Sequence, residues 1–381
     1  MSANECCGSS AGDIREIEVF DLGAGKAPMK PPEWIAGFTD TAAGPVPIVS
    51  TEWSRREKRG RLKCRFFNRF RMDYKVDPGV YGVGTPGRNS PILVTANYKL
   101  SFDYLRTALA GFDAWILVLD TQGINVWCAA GKGTFGSEEL INRIGCTRLA
   151  RIVDTRRLIL PQLGAPGVRA PAVKAKTHFS ISYGPVSVRD LRAYLRAGCQ
   201  ADAQMRAVRF GLKDRLTLLP MEVTPALKGF LIYLIASVLI LGLQPEGILF
   251  RSMIDSGAPA AVLGLAALLC GTVLTPILLP WIPFRSFAAK GFLLGGAVTA
   301  ALLFLVLPQG FRSTWMSALS LVFFPAASSY LALQFTGSTC FTGISGVRKE
   351  LRVALPLYAA SACLSLPLLV LVKLKDFGVI G

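Results

Sequence analysis

The octet Asn125-Val126-Trp127-Cys128-Ala129-Ala130-Gly131-Lys132 concentrates the chemistry of this chain. One soft sulfur sits between a bulky indole and a run of small residues. Such a segment lets backbone approach a large flat partner closely. An isolated cysteine is most often a small buried hydrophobe, so the neighbouring sequence has to decide the role of Cys128. Nine cysteines, at 6, 7, 64, 128, 146, 199, 270, 340 and 363, form no C-x-x-C pair. That pattern argues against a zinc site, an iron–sulfur cluster or a disulfide framework, and for reduced thiols on the cytoplasmic side.

Several elements must position the octet. Pro91 to Thr95 reads as a strand running out into Ala96-Asn97-Tyr98, with Ser101 as the cap of a helix whose Phe102, Leu105 and Leu109 recur at helical spacing. The unbroken apolar run Trp115–Asp120 marks a strand buried on both faces. Further strand candidates are Arg151–Val153, Leu158–Leu160 and Phe179–Ser182, followed by a basic helix over 188–197. Strands alternating with helices predict a Rossmann-like α/β domain with a largely parallel sheet, whose ligands lie beyond the carboxyl ends of the strands. Asn97 and Trp127-Cys128 both follow strand candidates. Thr121-Gln122-Gly123 is a turn, after which Ile124–Trp127 fits a returning strand, Ala129 and Ala130 favour helix, and Gly131 and Gly133 end it. Ser137, with Glu138 and Glu139, opens another helix.

The 381 residues carry a net charge of +17 and divide into unlike halves. The expected organisation is a flexible tail over 1–54, an α/β domain over 55–215, a basic linker over 216–225 and a five-helix membrane domain over 226–375. The Gly/Pro/Ala-rich start to Pro47 has no secretory h-region. Apolar stretches at 226–243, 258–279, 287–307, 315–335 and 353–372 are each long enough to cross a bilayer as an α-helix. Arg206, Arg209, Lys213, Arg215 and Lys228 crowd the first of them, which places the N-terminus and the α/β domain in the cytoplasm beneath the inner membrane. Those cations also suit anionic lipids. No aromatic-basic recognition module accompanies the charge, so nucleic acid is not expected. The drawn spans lack Asp, Glu and His except at their ends, which points to an anchor rather than a pump.

The stretches Val94–Asp103, Leu119–Ile124, the octet, Gly133–Gly136, Leu158–Gly167 and Tyr183–Val186 together resemble corrinoid-binding domains over roughly residues 60 to 215. Two families share that domain: the large subunit of the corrinoid iron–sulfur protein of acetyl-CoA synthesis, and the HgcA-type mercury-methylation proteins. Cysteine rather than threonine in the octet, the lack of clustered cysteines for an N-terminal iron–sulfur module, and five apolar stretches make this chain resemble the second.

That resemblance implies a short cap helix for the octet, lying below a corrin ring, with the Cys128 thiolate as lower ligand to the cobalt of a base-off cobalamin-type corrinoid. The domain pattern would include histidines near Thr155 and Pro171, where this chain has none; His178 is its one histidine. A soft anionic donor would help the methyl group leave as a carbanion equivalent toward Hg(II), giving methylmercury. The implied partners are a small ferredoxin with two four-iron clusters and a methyl-folate-linked donor. Ala129, Ala130 and Gly131 would admit the ring, Trp127 would pack its edge, and Lys132 would meet an amide or phosphate. Thr95, Asn97, Asn125, Val126, Gly133, Thr134 and Tyr183 complete the cofactor pocket by motif position. Cys6 and Cys7 form an adjacent thiol pair suited to capturing mercury. Alternative functions are a membrane-tethered methyl carrier of one-carbon metabolism, or a corrinoid-binding membrane protein without transfer chemistry.

Overall fold

The structure, a computed structural model, describes residues 32–380 and divides into two compact units, one ending at Val208 and the other starting at Arg209. The first unit holds strands β1 (Ile35–Thr41), β2 (Gly44–Val49), β3 (Gly79–Val83), β4 (Ile92–Ala96), β5 (Ala114–Leu119), β6 (Arg157–Leu160) and β7 (Ser180–Tyr183). Its helices are α1 (Arg55–Phe66), α2 (Asn68–Asp73), α3 (Lys99–Ala108), α4 (Val126–Lys132), α5 (Ser137–Cys146), α6 (Leu149–Ile152), α7 (Ala170–Thr177), α8 (Leu191–Arg196) and α9 (Ala203–Arg206).

One sheet takes all seven strands in the order β1-β2-β3-β5-β4-β6-β7. Pairings β2/β3, β4/β5, β4/β6 and β6/β7 are parallel, while β1/β2 and β3/β5 are antiparallel. Every residue of β4 and β5 is buried, as unbroken apolar runs require when helices cover both faces. On one face Leu117 and Leu119 pack with Ala129, Leu140, Leu149 and Val173 of α4 to α7. On the other, Leu93 and Ile116 pack with Phe102 and Leu105 of α3 and Leu191 of α8. From β4 the chain goes first to β5 on one side and then to β6 on the other, so the order reverses between β4 and β6. Such a reversal leaves a crevice at the carboxyl ends of those two strands.

Four local expectations are corrected. Residues 35–49, read as tail, form the β1–β2 hairpin. Val46 and Val49 enter the core, and β2 pairs with β3 only at Ile48 and Val49, leaving Pro45 and Pro47 outside that pairing. Arg151–Val153 is the end of helix α6 rather than a strand, because Leu149 and Ile152 are buried one turn apart. Helix α3 is capped at Tyr98 and begins at Lys99, so Ser101 lies inside it. Helix α5 is capped by Gly136, and the Ser137 hydroxyl instead accepts the Arg169 N–H at 2.8 Å.

The early start of α3 has a physical cause. Lys99 and Arg106 are buried beside Glu57 and Asp103, forming a four-charge cluster that joins α1 to α3. Lys99 Nζ meets Glu57 Oε1 at 2.8 Å and also pairs with Asp103. Arg106 bonds Asp103 Oδ1 at 2.8 Å and donates to the Glu52 carbonyl at 2.8 Å. Burial pushes the Glu57 carboxyl upward, but Lys99, the Ser54 N–H and Arg106 outweigh it and hold the group below the ordinary glutamate value. Asp103, more deeply enclosed, is raised by its burial despite the same cations.

The second unit contains five helices long and apolar enough to cross a membrane: Leu212–Gly242, Phe250–Leu278, Phe287–Val306, Thr314–Ser338 and Ser345–Asp376. The linker expected over 216–225 is continuous with the first of these and contains no lysine or arginine. Close packing uses small residues, as association in lipid favours. Ser328 Oγ donates to the Gly291 carbonyl at 2.9 Å, and Ser329 Oγ to that of Ala288 at 2.7 Å. Longer helices also bring in acids near their ends: Glu222 accepts from Ser338 at 2.7 Å, and Glu350 accepts from the Phe287 N–H at 2.9 Å.

Removing one member of a buried charge cluster strands the others, at a cost of about 3–5 kcal/mol. Arg106→Met should therefore lower the thermal midpoint of the full chain in detergent far more than a surface Arg→Met change. Because the Glu57 pKa is lowered in the fold, its stabilisation is complete above the ordinary glutamate value and fades as pH falls through the folded value. The deficit of Glu57→Gln relative to the parent should accordingly shrink on acidification, read from unfolding midpoints across the acid range.

Candidate functional site

The site begins with Asn97 at the end of β4. This buried side chain is wholly engaged within the protein. Its Oδ1 accepts the Thr121 N–H at 3.1 Å, the Thr121 hydroxyl at 2.9 Å and the Gly123 N–H at 2.9 Å, while Nδ2 donates to Asp120 Oδ1 at 3.0 Å. Gln122 and Gly123 follow each other at φ 57° and 76°. Two successive left-handed residues turn the chain sharply and exclude a strand running on from Gly123. Glycine is needed at 123, since a Cβ there would lie 2.9 Å from the Met72 carbonyl. The Thr121 hydroxyl also lies 2.6 Å from the Ile124 carbonyl, so its single proton is shared between that oxygen and Asn97 Oδ1.

The octet resolves as helix. Asn125 caps α4 by accepting the Cys128 N–H at 3.0 Å, and Gly133 ends it at φ 86°. Ala129 and Ala130 point inward and are buried. Beneath them runs a turn of 3-10 helix, Gln162–Gly167. A Cβ on Gly164 would lie 2.5 Å from the Phe135 ring, and one on Gly167 would collide with the Phe135 carbonyl and sit 3.1 Å from Ala130 Cα. The smallness of Ala129, Ala130, Gly164 and Gly167 is thus explained by packing inside the protein.

The outward face differs. Trp127 is 40% exposed, Cys128 is half-buried, and Gly131, Lys132 and Gly133 are exposed. A Cβ built on Gly131 meets nothing within 4 Å. No neighbour in the fold requires glycine there, although glycine in a helix costs about 1 kcal/mol relative to alanine. Cys128 and Gly131 lie one turn apart on this open surface.

Beside α4, a cleft of about 400 Å³ occupies the reversal point between β4 and β6. Thr95, Asn125, Val126 and Trp127 line it, together with Tyr104 and Pro161. Of the residues assigned by motif position, Asn97, Thr134 and Tyr183 serve the fold. The Thr134 hydroxyl makes a long 3.5 Å bond to the Ala129 carbonyl, and the Tyr183 hydroxyl donates to the Val168 carbonyl at 3.1 Å. Ser101, Tyr104, Pro161, Leu163 and Pro185 are wall residues that reading for reactive side chains passes over. Ser101, Pro161, Leu163 and Pro185 lie within the segments that carry the resemblance to corrinoid-binding domains, which is the sequence signal for them. Cys6 and Cys7 lie outside the described residues. Among the described residues no group of three or more His, Cys, Asp and Glu gathers as a metal site.

Residues 62–189 match the family described as CO dehydrogenase/acetyl-CoA synthase delta subunit. Subunit gamma of the acetyl-CoA decarbonylase/synthase complex of Archaeoglobus fulgidus is 26% identical over 136 residues, 35% of this chain and 28% of the relative. That of Methanopyrus kandleri is 37% identical over 93 residues, 24% of this chain and 20% of the relative. That of Methanocaldococcus jannaschii is 35% identical over 100 residues, 25% and 20% respectively. The α/β unit is similar to part of these subunits. The chain spans about a quarter of the length of the relatives it matches, and the family match runs from α1 through β7 and stops before the apolar helices.

Two contrasts test this geometry. Asn97→Ala leaves buried N–H groups of the 121–123 turn without an acceptor, each costing about 1–3 kcal/mol; thermal unfolding and loss of amide protection in 121–128 should both report it. Gly131→Ala should leave the unfolding free energy unchanged or raise it, by up to about 1 kcal/mol. Gly167→Ala should lower it by about 1–3 kcal/mol, since a backbone carbonyl blocks the added methyl.

Proposed function

We propose that the α/β unit binds a corrinoid against the outward face of α4 and serves as a membrane-tethered methyl carrier in one-carbon metabolism. The observation that carries this reading is the open space over Gly131, one turn from Cys128 and flanked by Trp127 and Lys132. A large planar ligand needs such a surface, and an arm projecting from it could enter the neighbouring cleft at the strand reversal. The similarity to subunits of acetyl-CoA decarbonylase/synthase complexes supports work on one-carbon groups alongside protein partners.

The corrinoid would supply a cobalt centre that takes up and releases a methyl group. The chain's own residues would do the rest. Cys128 would offer its sulfur to the cobalt, its half-buried side chain held by the capped start of α4. Ala129 and Ala130 bind α4 to the core, so the thiol keeps its place. Trp127 covers the edge of the ligand, and Lys132 meets its polar substituents. Electrons would come from a separate small ferredoxin with two four-iron clusters, and the methyl group from a methyl-folate-linked donor. The basic approach to the first apolar helix would keep this unit in the cytoplasm.

A second reading, methyl transfer to Hg(II), is favoured by one specific observation: the octet presents cysteine, a soft electron-rich donor, on the ligand face. Strong donation from sulfur would favour departure of the methyl group as a carbanion equivalent toward a soft electrophile.

Full-length protein reconstituted with corrinoid tests both. Cys128→Thr should retain the corrinoid through the remaining contacts but change its visible absorption spectrum, as loss of a sulfur ligand must. Identical spectra in the two proteins would remove Cys128 from the ligand role. Protein charged with a methyl group from methyl-folate and then mixed with Hg(II) should yield methylmercury under the second reading; an uptake step that works, followed by no transfer to mercury, leaves the carrier reading alone.

A further inference from the structure

Helices α1 and α2 carry a feature that the corrinoid reading does not use. Nine lysines and arginines fall in the seventeen residues from Arg55 to Arg71. The acid among them, Glu57, is buried and already held by Lys99 and Arg106. Glu52 and Asp73 bracket the segment at its two ends. Its exposed surface is therefore strongly positive.

The packing of α1 shows which side faces outward. Its buried residues are Glu57, Gly60 and Cys64, a stripe spaced i, i+3, i+7. Gly60 permits the contact, because a Cβ there would lie 2.6 Å from the Tyr74 hydroxyl. Directly opposite this stripe lie Arg55, Arg59, Leu62 and Phe66, with Lys58 and Lys63 to either side. Leu62 is 59% exposed, Phe66 41% and Phe67 58%. Leu62 and Phe66 form an apolar ridge along the C-terminal half of this outermost line, with Arg55 and Arg59 before it and cations along both flanks. None of Arg55, Arg56, Lys58 or Arg59 forms an ion pair among the described residues.

We propose that this face of α1, continued by Phe67, docks on the anionic surface of a lipid bilayer. The arrangement suits that occupant on two counts. Apolar side chains that enter the headgroup boundary beside cations that meet lipid phosphates are the features of an interfacial helix. The same chain continues after residue 211 into helices able to span a membrane, so a bilayer is held at high effective concentration by covalent linkage. An acidic protein would satisfy the cations but leave the apolar ridge without a role. The face is separate from α4, so docking stands or falls independently of Cys128 and the corrinoid.

The test uses the full chain with Phe66→p-benzoylphenylalanine, reconstituted in nanodiscs of phosphatidylcholine alone or mixed with phosphatidylglycerol, and in native membranes. Irradiation should attach lipid to position 66, with the yield highest where phosphatidylglycerol is present and reduced by added salt. Reversing Arg55, Arg56 and Arg59 to glutamate should weaken docking by about a hundredfold or more and abolish the lipid adduct. A lipid adduct equal in both nanodisc types would overturn the electrostatic part of the proposal. An adduct to protein or nucleic acid in native membranes, or none at all while the protein remains folded by circular dichroism, would overturn the lipid assignment.

Discussion

The geometry of the candidate site depends on one side-chain amide. Asn97 stands where β4 ends and receives two backbone N–H hydrogen bonds and a shared hydroxyl proton from the turn after β5. Those bonds cross between neighbouring parallel strands and hold Gln122 and Gly123 in left-handed conformations that would otherwise be unfavourable in succession. The direction of the chain leaving that turn decides where Asn125 can cap α4, and the cap decides which side of the helix Cys128 occupies. Motif position casts Asn97 as a ligand contact, but its polar atoms are all committed to this turn.

Small residues around α4 have two separate explanations. Ala129, Ala130, Gly164 and Gly167 are small because the fold packs closely there, against the Phe135 ring at Gly164 and against backbone at Gly167. At Gly131 the protein presents only open space. The distinction separates residues that support a ligand surface from the one that leaves room above it. It also accounts for a seven-residue helix keeping its place: α4 is fastened at its start by a side-chain cap, at its end by a left-handed glycine, and from below by the core.

The buried cluster of Glu57, Lys99, Asp103 and Arg106 serves a different purpose. Two acids and two bases cancel in charge while tying α1 to α3. Sequestering Glu57 leaves the outer surface of α1 with cations that form no ion pair among the described residues. Internal electrostatics of the fold thereby shape its external charge, in a unit whose chain continues into five apolar helices.

Much was legible in the residues alone. Alternating apolar runs and helical periodicities announced the α/β domain with its mostly parallel sheet, and long apolar stretches announced five membrane-length helices, because both follow from local burial patterns. Cys128 and the small residues beside it stand out on residue chemistry alone. What the tertiary structure decided were matters set by contacts between distant segments. Whether Ile124–Trp127 continued as a strand depended on Asn97, twenty-seven residues before the start of that segment. Whether residues 35–49 joined the sheet depended on Val46 and Val49 finding a core. The start of α3 depended on Lys99 meeting an acid from α1. Local propensity carries none of that information, since each outcome rests on a partner brought near only by the folded chain.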